Sequence, residues 1–322
     1  MPVSSPEQFA GAGLIDSQAR HFSPAILRAL RPYQYAKNIL VFVPLVTSHK
    51  FLAAGMLMRI FAAFCCICLC ASATYIVNDL ADLDSDRHHR SKYNRPFASG
   101  SLSRAAGLFA APLLLVCGIA FSRLLPGMAT IILLFYTALS IAYTFWFKQR
   151  LLADVLVLSA LYLLRILEGA AAASIQVSPW LLAFSLFLLL SFAFSKRVTE
   201  MVRSTGPTCG GLAGRGYLLT DISVITSLGV GSGYLACLVL SLYINNRSVH
   251  ELYPHPGWLW LLLPLLLYWI GRFWVLTTRG CVSDDPLVFI LKDPVTYGAI
   301  FCGVAVLFLG MMVPFGIPGI SE

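Results

Sequence analysis

The sequence predicts an all-α integral membrane protein with nine transmembrane helices. Of its 322 residues, 58% are hydrophobic and only 12% are charged, and the mean hydropathy is +0.78. A typical soluble domain has about 25% charged residues, so the composition excludes an ordinary soluble enzyme. It also argues against a nucleic-acid-binding protein, although the net charge is +8.

Nine stretches are long and apolar enough to cross a bilayer, which takes about 20 residues in a helix. The first is the weakest, because Pro32, Lys37, Asn38 and Pro44 interrupt it. The nine predicted spans cover residues 29–48, 55–77, 104–124, 126–146, 151–173, 179–197, 221–244, 257–276 and 295–315.

The basic residues orient these spans. If the N-terminus is cytoplasmic, most of the 23 lysines and arginines fall on the cytoplasmic side, as the positive-inside rule requires. Nine spans then place the C-terminus on the outer side of a cell (inner) membrane. We expect a flexible cytoplasmic leader over residues 1–25 and one membrane domain over residues 26–322, since no fixed-period repeat divides the chain.

An acidic motif follows the second predicted span. On a continuous helix, Asn78, Asp82 and Asp86 form one polar stripe, with Asp79 beside Asp82. Oxygen ligands without His or Cys suit Mg²⁺. The alternative is a solvated acidic helix end, but acidic residues at a helix C-terminus oppose the helix dipole. The motif therefore favours a magnesium site.

A basic loop comes directly after the acidic motif. Cations that follow magnesium-binding carboxylates are typical of a diphosphate site, where they neutralise the remaining phosphate charge. We assign this role to Lys92 and Arg95. For Arg90 and Arg104 we favour the alternative, an ordinary cytoplasmic loop that sets topology.

The pattern Asn-Asp-x-x-Asp-x-x-x-Asp, followed by His, Lys, Arg-Pro and Ala-Ser-Gly, resembles the first signature of the UbiA-type prenyltransferase superfamily. The resemblance implies a nine-helix bundle with a cytoplasm-facing cavity that binds Mg²⁺ and a diphosphate. We expect Asn78, Asp82 and Asp86 to be the catalytic residues and, with Asp79, the metal ligands. The sequence departs once, because Arg90 stands where the family usually has Pro.

Four further segments resemble the decaprenyl-phosphate phosphoribosyltransferase branch: residues 31–38, 143–165, 195–200 and 284–293. The resemblance implies transfer of 5-phosphoribose from phosphoribosyl diphosphate to a polyprenyl phosphate, giving a lipid-linked sugar phosphate for cell-envelope synthesis. The candidate substrate-binding residues are Lys37, Asn38, Lys92, Arg95, Tyr143, Lys148, Arg165, Lys196, Arg197, Glu200 and Lys292.

Charge at the sixth predicted span supports this branch. Transfer of a prenyl group to an aromatic ring usually relies on a second aspartate-rich motif, whereas this chain offers Lys196, Arg197 and the single carboxylate Glu200. More cations and fewer carboxylates suit a substrate with more phosphate and less metal. Two alternatives stay open here: Lys196 and Arg197 as a helix flank, and an Arg165–Glu168 ion pair within the membrane.

Two other function classes remain. A UbiA-type prenyltransferase, acting on an aromatic or other acceptor, uses the same magnesium-diphosphate leaving group, so the acidic motif cannot separate it from the phosphoribosyltransferase. A transporter would favour ionisable groups near the bilayer midplane. Here almost all of them lie at one set of predicted helix ends, with Arg165 and Glu168 deeper.

Overall fold

The computed structural model is a helical bundle that describes residues 25–48, 54–88, 92–203, 215–282 and 285–314. Every regular element within these ranges is a helix. Apart from Ala25, the predicted leader lies outside the described residues.

The first apolar segment is broken into three short helices. They are α1 (Ala25–Leu30), a 3₁₀-helix (Pro32–Phe42) and α2 (Val43–Thr47). Each of the last two has a proline in its first turn, where the missing N–H interrupts a continuous α-helical ladder. Arg31, between the first two, has a left-handed backbone with φ 53°.

Eight of the described helices are long and apolar enough to cross a membrane. The predicted count of nine is not confirmed, because the broken first segment is not among these eight. The α-helices that follow the first segment, which include these eight, are α3 (Ala54–Ala81), α4 (Leu83–His88), α5 (Arg104–Ser122), α6 (Gly127–Ala142), α7 (Ala153–Ala173), α8 (Pro179–Arg203), α9 (Ile222–Ile244), α10 (Arg247–Leu252), α11 (Leu262–Thr278), α12 (Pro286–Ile290) and α13 (Pro294–Met312).

Helix α7 is the shared wall of two hydrophobic cores. Leu164 packs into one core with Leu133 of α6 and residues of α3, and Ile166 packs into the other with Phe192 of α8 and residues of α9 and α11. The helix is consequently apolar nearly all round, as expected for a buried element.

Gly169 of α7 allows the first segment to approach closely. A Cβ at this position would lie 1.8 Å from the carbonyl oxygen of Val41. Any side chain would therefore push the 3₁₀-helix away, together with Lys37 and Asn38 one to two turns earlier.

The spans alternate in direction, so the ends of α3, α6, α8 and α11 meet the starts of α5, α7, α9 and α13 at one end of the bundle.

Candidate active site

The acidic motif forms an ion-pair cluster at that end, which we call the Asp79 cluster. Arg31 donates to Oδ1 of Asp79. Arg95 Nη1 lies 3.1 Å from the same oxygen and 2.6 Å from Oδ2 of Asp86. One cation thus bridges two carboxylates, while Oδ2 of Asp79 is buried with no hydrogen-bond partner among the described residues. The left-handed backbone of Arg31 is a sparsely populated conformation of the kind that recurs at functional sites.

Asp82 joins the Asp79 cluster through a different partner. Helix α3 ends one residue before it, and its carboxylate pairs with Lys148. The grouping differs from the sequence-based stripe of Asn78, Asp82 and Asp86, because Arg95 links Asp86 to Asp79 while Asp82 pairs with Lys148. Within the described ranges, no three His, Cys, Asp or Glu side chains are close enough together to hold a metal ion.

A second cluster, the Arg197 cluster, lies on α7 and α8. Arg197 Nε is 2.7 Å from Oδ2 of Asp154, and Arg197 also pairs with Glu200 one turn later. Arg215 adds contacts of 3.3 Å to Glu200 and 3.8 Å to Asp154. The Tyr143 hydroxyl accepts hydrogen bonds from Arg197 Nη2 at 3.0 Å and Arg215 Nη1 at 3.2 Å.

A π-helical turn, Tyr143–Phe147, connects the two clusters. Its wide turn is closed by the Lys148 amide, which donates to the Tyr143 carbonyl at 3.0 Å. Tyr143 therefore faces the Arg197 cluster while Lys148 reaches Asp82. Such turns inside α-helices occur frequently at functional sites.

Asn38 and Arg165 form a buried network below the clusters. Arg165 donates from Nε to Oδ1 of Asn38 at 2.8 Å, from Nη1 to the Leu161 carbonyl at 2.6 Å, and from Nη2 to the Tyr136 hydroxyl at 2.9 Å. The alternative of an Arg165–Glu168 ion pair is wrong, because both oxygens of the buried Glu168 lack a partner among the described residues. Arg165 instead fixes the first segment against α7.

Lys37 and Asp285 form an ion pair above this network, next to Lys196. Burial raises the pKa of Asp285, but the ammonium groups of Lys37 and Lys196 more than offset this, so the pKa lies below its usual value. Helix α12 follows Asp285 and packs against both the 3₁₀-helix and α8. The pair thus joins the first segment to the loop after α11.

Two lysines at this end have no carboxylate partner within the described part of the chain. Lys196 lies beside Arg197 and Lys37, and Lys92 lies between the Asp79 and Arg197 clusters. Both are half-buried. Burial, followed by the neighbouring charge of Arg95, lowers the pKa of Lys92. Since the other cations in the two clusters and at Asp285 are already paired, these two lysines are a positive surplus that an anion would relieve.

The UbiA prenyltransferase family profile matches residues 41–291. The chain belongs to the UbiA prenyltransferase family. It is therefore a multi-pass membrane transferase, and the resemblance drawn from the acidic motif is confirmed at the level of the family.

Three curated relatives differ in how much of this chain, and of their own length, the similarity covers. Protein y4nM of Sinorhizobium fredii, described as uncharacterised, is 35% identical over 84% of this chain and 53% of its own length. Nodulation protein NoeC of Azorhizobium caulinodans is 36% identical over 82% of this chain and 86% of its own. Decaprenyl-phosphate phosphoribosyltransferase of Mycolicibacterium smegmatis is 33% identical over 55% and 57%. The chain spans about half the length of the first and third.

Solved structures of the family share the fold. A UbiA homolog from Archaeoglobus fulgidus bound to DMAPP and Mg²⁺ has a TM-score of 0.65 at 14% identity, covering 89% of this chain and 100% of the homolog. The same homolog bound to GPP and Mg²⁺ also gives 0.65, at 15% identity. At such identities the likeness concerns the fold alone.

The structure brings most of the sequence-predicted site residues of this UbiA family member to one end. Asn78 is half-buried beside the Asp79 cluster. Lys292 lies at the same end but takes no part in either cluster, because it is exposed and its side chain makes no hydrogen bond or ion pair with a described residue. Four residues of the clusters and of the Lys37 ion pair were not predicted as site residues: Arg31, Asp154, Arg215 and Asp285. Arg31, Asp154 and Asp285 lie in segments that carry the resemblance, but nothing in the local sequence marks Arg215.

Proposed function

We propose that this enzyme transfers 5-phosphoribose from phosphoribosyl diphosphate to a polyprenyl phosphate on the cytoplasmic side of the cell membrane. The observation that carries the proposal is the pair of half-buried lysines without carboxylate partners, Lys92 and Lys196. A buried cation without a partner is costly, so its presence favours an anionic substrate.

The amount of phosphate in the substrates agrees with this surplus. Phosphoribosyl diphosphate carries a 5-phosphate besides its diphosphate, and the acceptor adds another phosphate. A prenyl diphosphate carries the diphosphate alone. In the Arg197 cluster, Asp154 and Glu200 are already neutralised by Arg197 and Arg215, so a second metal would have to displace two arginines. The relative named decaprenyl-phosphate phosphoribosyltransferase supports the same donor and acceptor.

The Asp79 cluster has the chemistry of a magnesium site. Asp79 and Asp86 already share one cation, Arg95, and Asp79 has a buried oxygen with no partner among the described residues. We propose these two residues, with Asp82 and Asn78, as the ligands; all offer oxygen, which Mg²⁺ prefers. Bound there, Mg²⁺ would supply charge neutralisation for the leaving diphosphate.

The cationic side chains in and beside this cluster have separate roles in binding the donor. Arg95 and Lys148, which lie beside the proposed ligands, would bind diphosphate oxygens, and Lys92 would bind phosphate between the two clusters. The C1–oxygen bond to the diphosphate breaks, and a phosphate oxygen of the lipid forms the new bond to C1. That phosphate is already ionised, so no general base is needed. Binding energy and charge stabilisation account for the catalysis.

The decisive experiment supplies purified protein with labelled phosphoribosyl diphosphate, Mg²⁺ and a polyprenyl phosphate. We expect a labelled phosphoribosyl lipid, extractable into organic solvent, and no product when the metal is chelated. The rival function is tested in parallel with a labelled prenyl diphosphate and aromatic acceptors. Product from the prenyl donor alone would contradict the proposal and support prenyl transfer.

A further inference from the structure

A cavity of about 320 Å³ lies at the end of the bundle opposite the Asp79 and Arg197 clusters. The first segment forms one wall, and the starts of α8 and the ends of α9 form the others. None of the described residues that line it is charged. Its principal lining residues are Pro44, Thr47, Trp180, Phe184, Val239 and Tyr243.

The walls of this cavity are the elements that carry cations at the other end. The first segment carries Lys37, and α8 carries Lys196. Both elements pack against α7 and make few contacts with each other, and we call the part of the α7 surface between them the groove. Phe184 precedes Lys196 by 12 residues on α8, so the cavity begins about 18 Å from that lysine along the helix.

Apolar side chains continue along the groove from the cations to the cavity. Leu40 and Val43 of the first segment and Leu188 of α8 are all half-buried, and all three pack against the same core beside α7. A hydrocarbon chain whose phosphate lies near Lys196 therefore has an apolar path that ends among the aromatic rings of Trp180, Phe184 and Tyr243.

We propose that this cavity binds the distal isoprene units of the polyprenyl phosphate acceptor, an inference that rests on the proposed function. Lipid tails are as apolar as the cavity, so close packing against a preformed surface has to supply the preference. A farnesyl chain is too short to follow the groove and fill the cavity, whereas a decaprenyl chain is long enough. The cavity is thus a chain-length selector.

Filling the cavity tests this role. Val239 of α9 lines it, and the adjacent Leu238 is 53% exposed on the outside of the same helix without lining it. We expect the unmodified enzyme to prefer decaprenyl phosphate to farnesyl phosphate. Val239→Trp should lower kcat/KM for decaprenyl phosphate about tenfold, as when burial of a few methylene groups is lost, and leave the value for farnesyl phosphate unchanged. Leu238→Trp should change neither value.

A cross-linking measurement covers the case in which Val239→Trp fails to fold. Decaprenyl phosphate with a diazirine on its last isoprene unit should label peptides containing Trp180 or Tyr243 of the unmodified protein. Labelling confined to other surfaces, or equal kcat/KM for both acceptors in the unmodified enzyme, would overturn the proposal. So would labelling of these peptides by a diazirine phospholipid and not by the decaprenyl probe. Absence of transfer to either acceptor would instead contradict the proposed function, and the cross-linking would still decide the cavity's occupant.

Discussion

The Asp79 and Arg197 clusters contain similar ion pairs in different surroundings. The side chains of Lys148 and Asp82 are 16% and 30% exposed, and Arg95, which pairs with the buried Asp79 and Asp86, is 23% exposed. The side chains of Arg197 and Asp154 are both 0% exposed. Water can compensate a broken Lys148–Asp82 pair but not a broken Arg197–Asp154 pair. We therefore expect the Asp79 cluster to exchange its solvent-accessible cations for a metal and substrate, and the Arg197–Asp154 pair to be a fixed anchor between α7 and α8.

The largest expected effect is on turnover, and it tests the exchangeable character of the Asp79 cluster. Asp86→Asn removes a proposed metal ligand and one of the two carboxylates that hold Arg95. We expect kcat to fall about 10²–10³-fold, the usual loss when a group that stabilises transition-state charge is removed. The measurement is magnesium-dependent transfer from the donor that the two-donor assay identifies.

Asp84→Asn is the matched control for this variant. Asp84 lies in the same short helix, but its side chain is 86% exposed, and its ion pairs with described residues are those to Arg87 and Arg104. It should retain full activity. Equal activity of the two variants would show that the Asp86 carboxylate has no role in catalysis.

The second prediction concerns the anchoring role of the Arg197 cluster. Arg197→Met leaves the buried carboxylate of Asp154 without its main partner, so we expect the free energy of unfolding to fall by about 3–5 kcal/mol. Lys148→Met removes the partner of Asp82 in the Asp79 cluster, where the two side chains are 16% and 30% exposed, and should cost about 1 kcal/mol or less. Denaturant titration in mixed micelles measures both.

The double variant Arg197→Met/Asp154→Asn separates charge from packing. Neutralising Asp154 removes the uncompensated charge, so part of the lost stability should return. If the two single variants at Arg197 and Lys148 were equally destabilised, the distinction between a fixed and an exchangeable cluster would be wrong.

The third prediction addresses the lysines without carboxylate partners. Lys92→Met and Lys196→Met should each raise KM for phosphoribosyl diphosphate about 10–100-fold, the range for loss of one charge-assisted hydrogen bond. Arg150→Ala removes an exposed cation from the same end and serves as the control. A rise in KM for a prenyl diphosphate but not for phosphoribosyl diphosphate would favour the rival function.

The smallest expected effect is a pH dependence of donor binding. Because burial and Arg95 lower the pKa of Lys92, this side chain loses its proton at a lower pH than an ordinary lysine. Its charge is present below that pKa and lost above it, so KM for the donor should rise as the pH increases through that value. In Lys92→Arg, the guanidinium stays charged and this part of the rise should disappear. An identical pH profile in the two proteins would exclude Lys92 as its source.

Much of the site follows from local sequence, because acidic residues at the end of an apolar span are conspicuous. Asp79, Asp82 and Asp86 are found in this way, and so is the basic loop containing Lys92 and Arg95. The pairing of these carboxylates does not follow from local sequence, since two of their partners, Arg31 and Lys148, lie 48 and 66 residues away. The predicted first span is not one continuous helix, because its prolines divide it into short helices.

Composition and motif spacing by themselves determined that the chain lies in a membrane, that it is helical, and to which family it belongs. These are properties of short segments, which hydropathy and helical periodicity fix without reference to the rest of the chain. Only the tertiary structure decided which cations are neutralised and which are in surplus. Arg165 binds Asn38 rather than Glu168, and Arg197 binds Asp154, because helix packing brings distant segments together. The surplus at Lys92 and Lys196 is likewise a result of that packing.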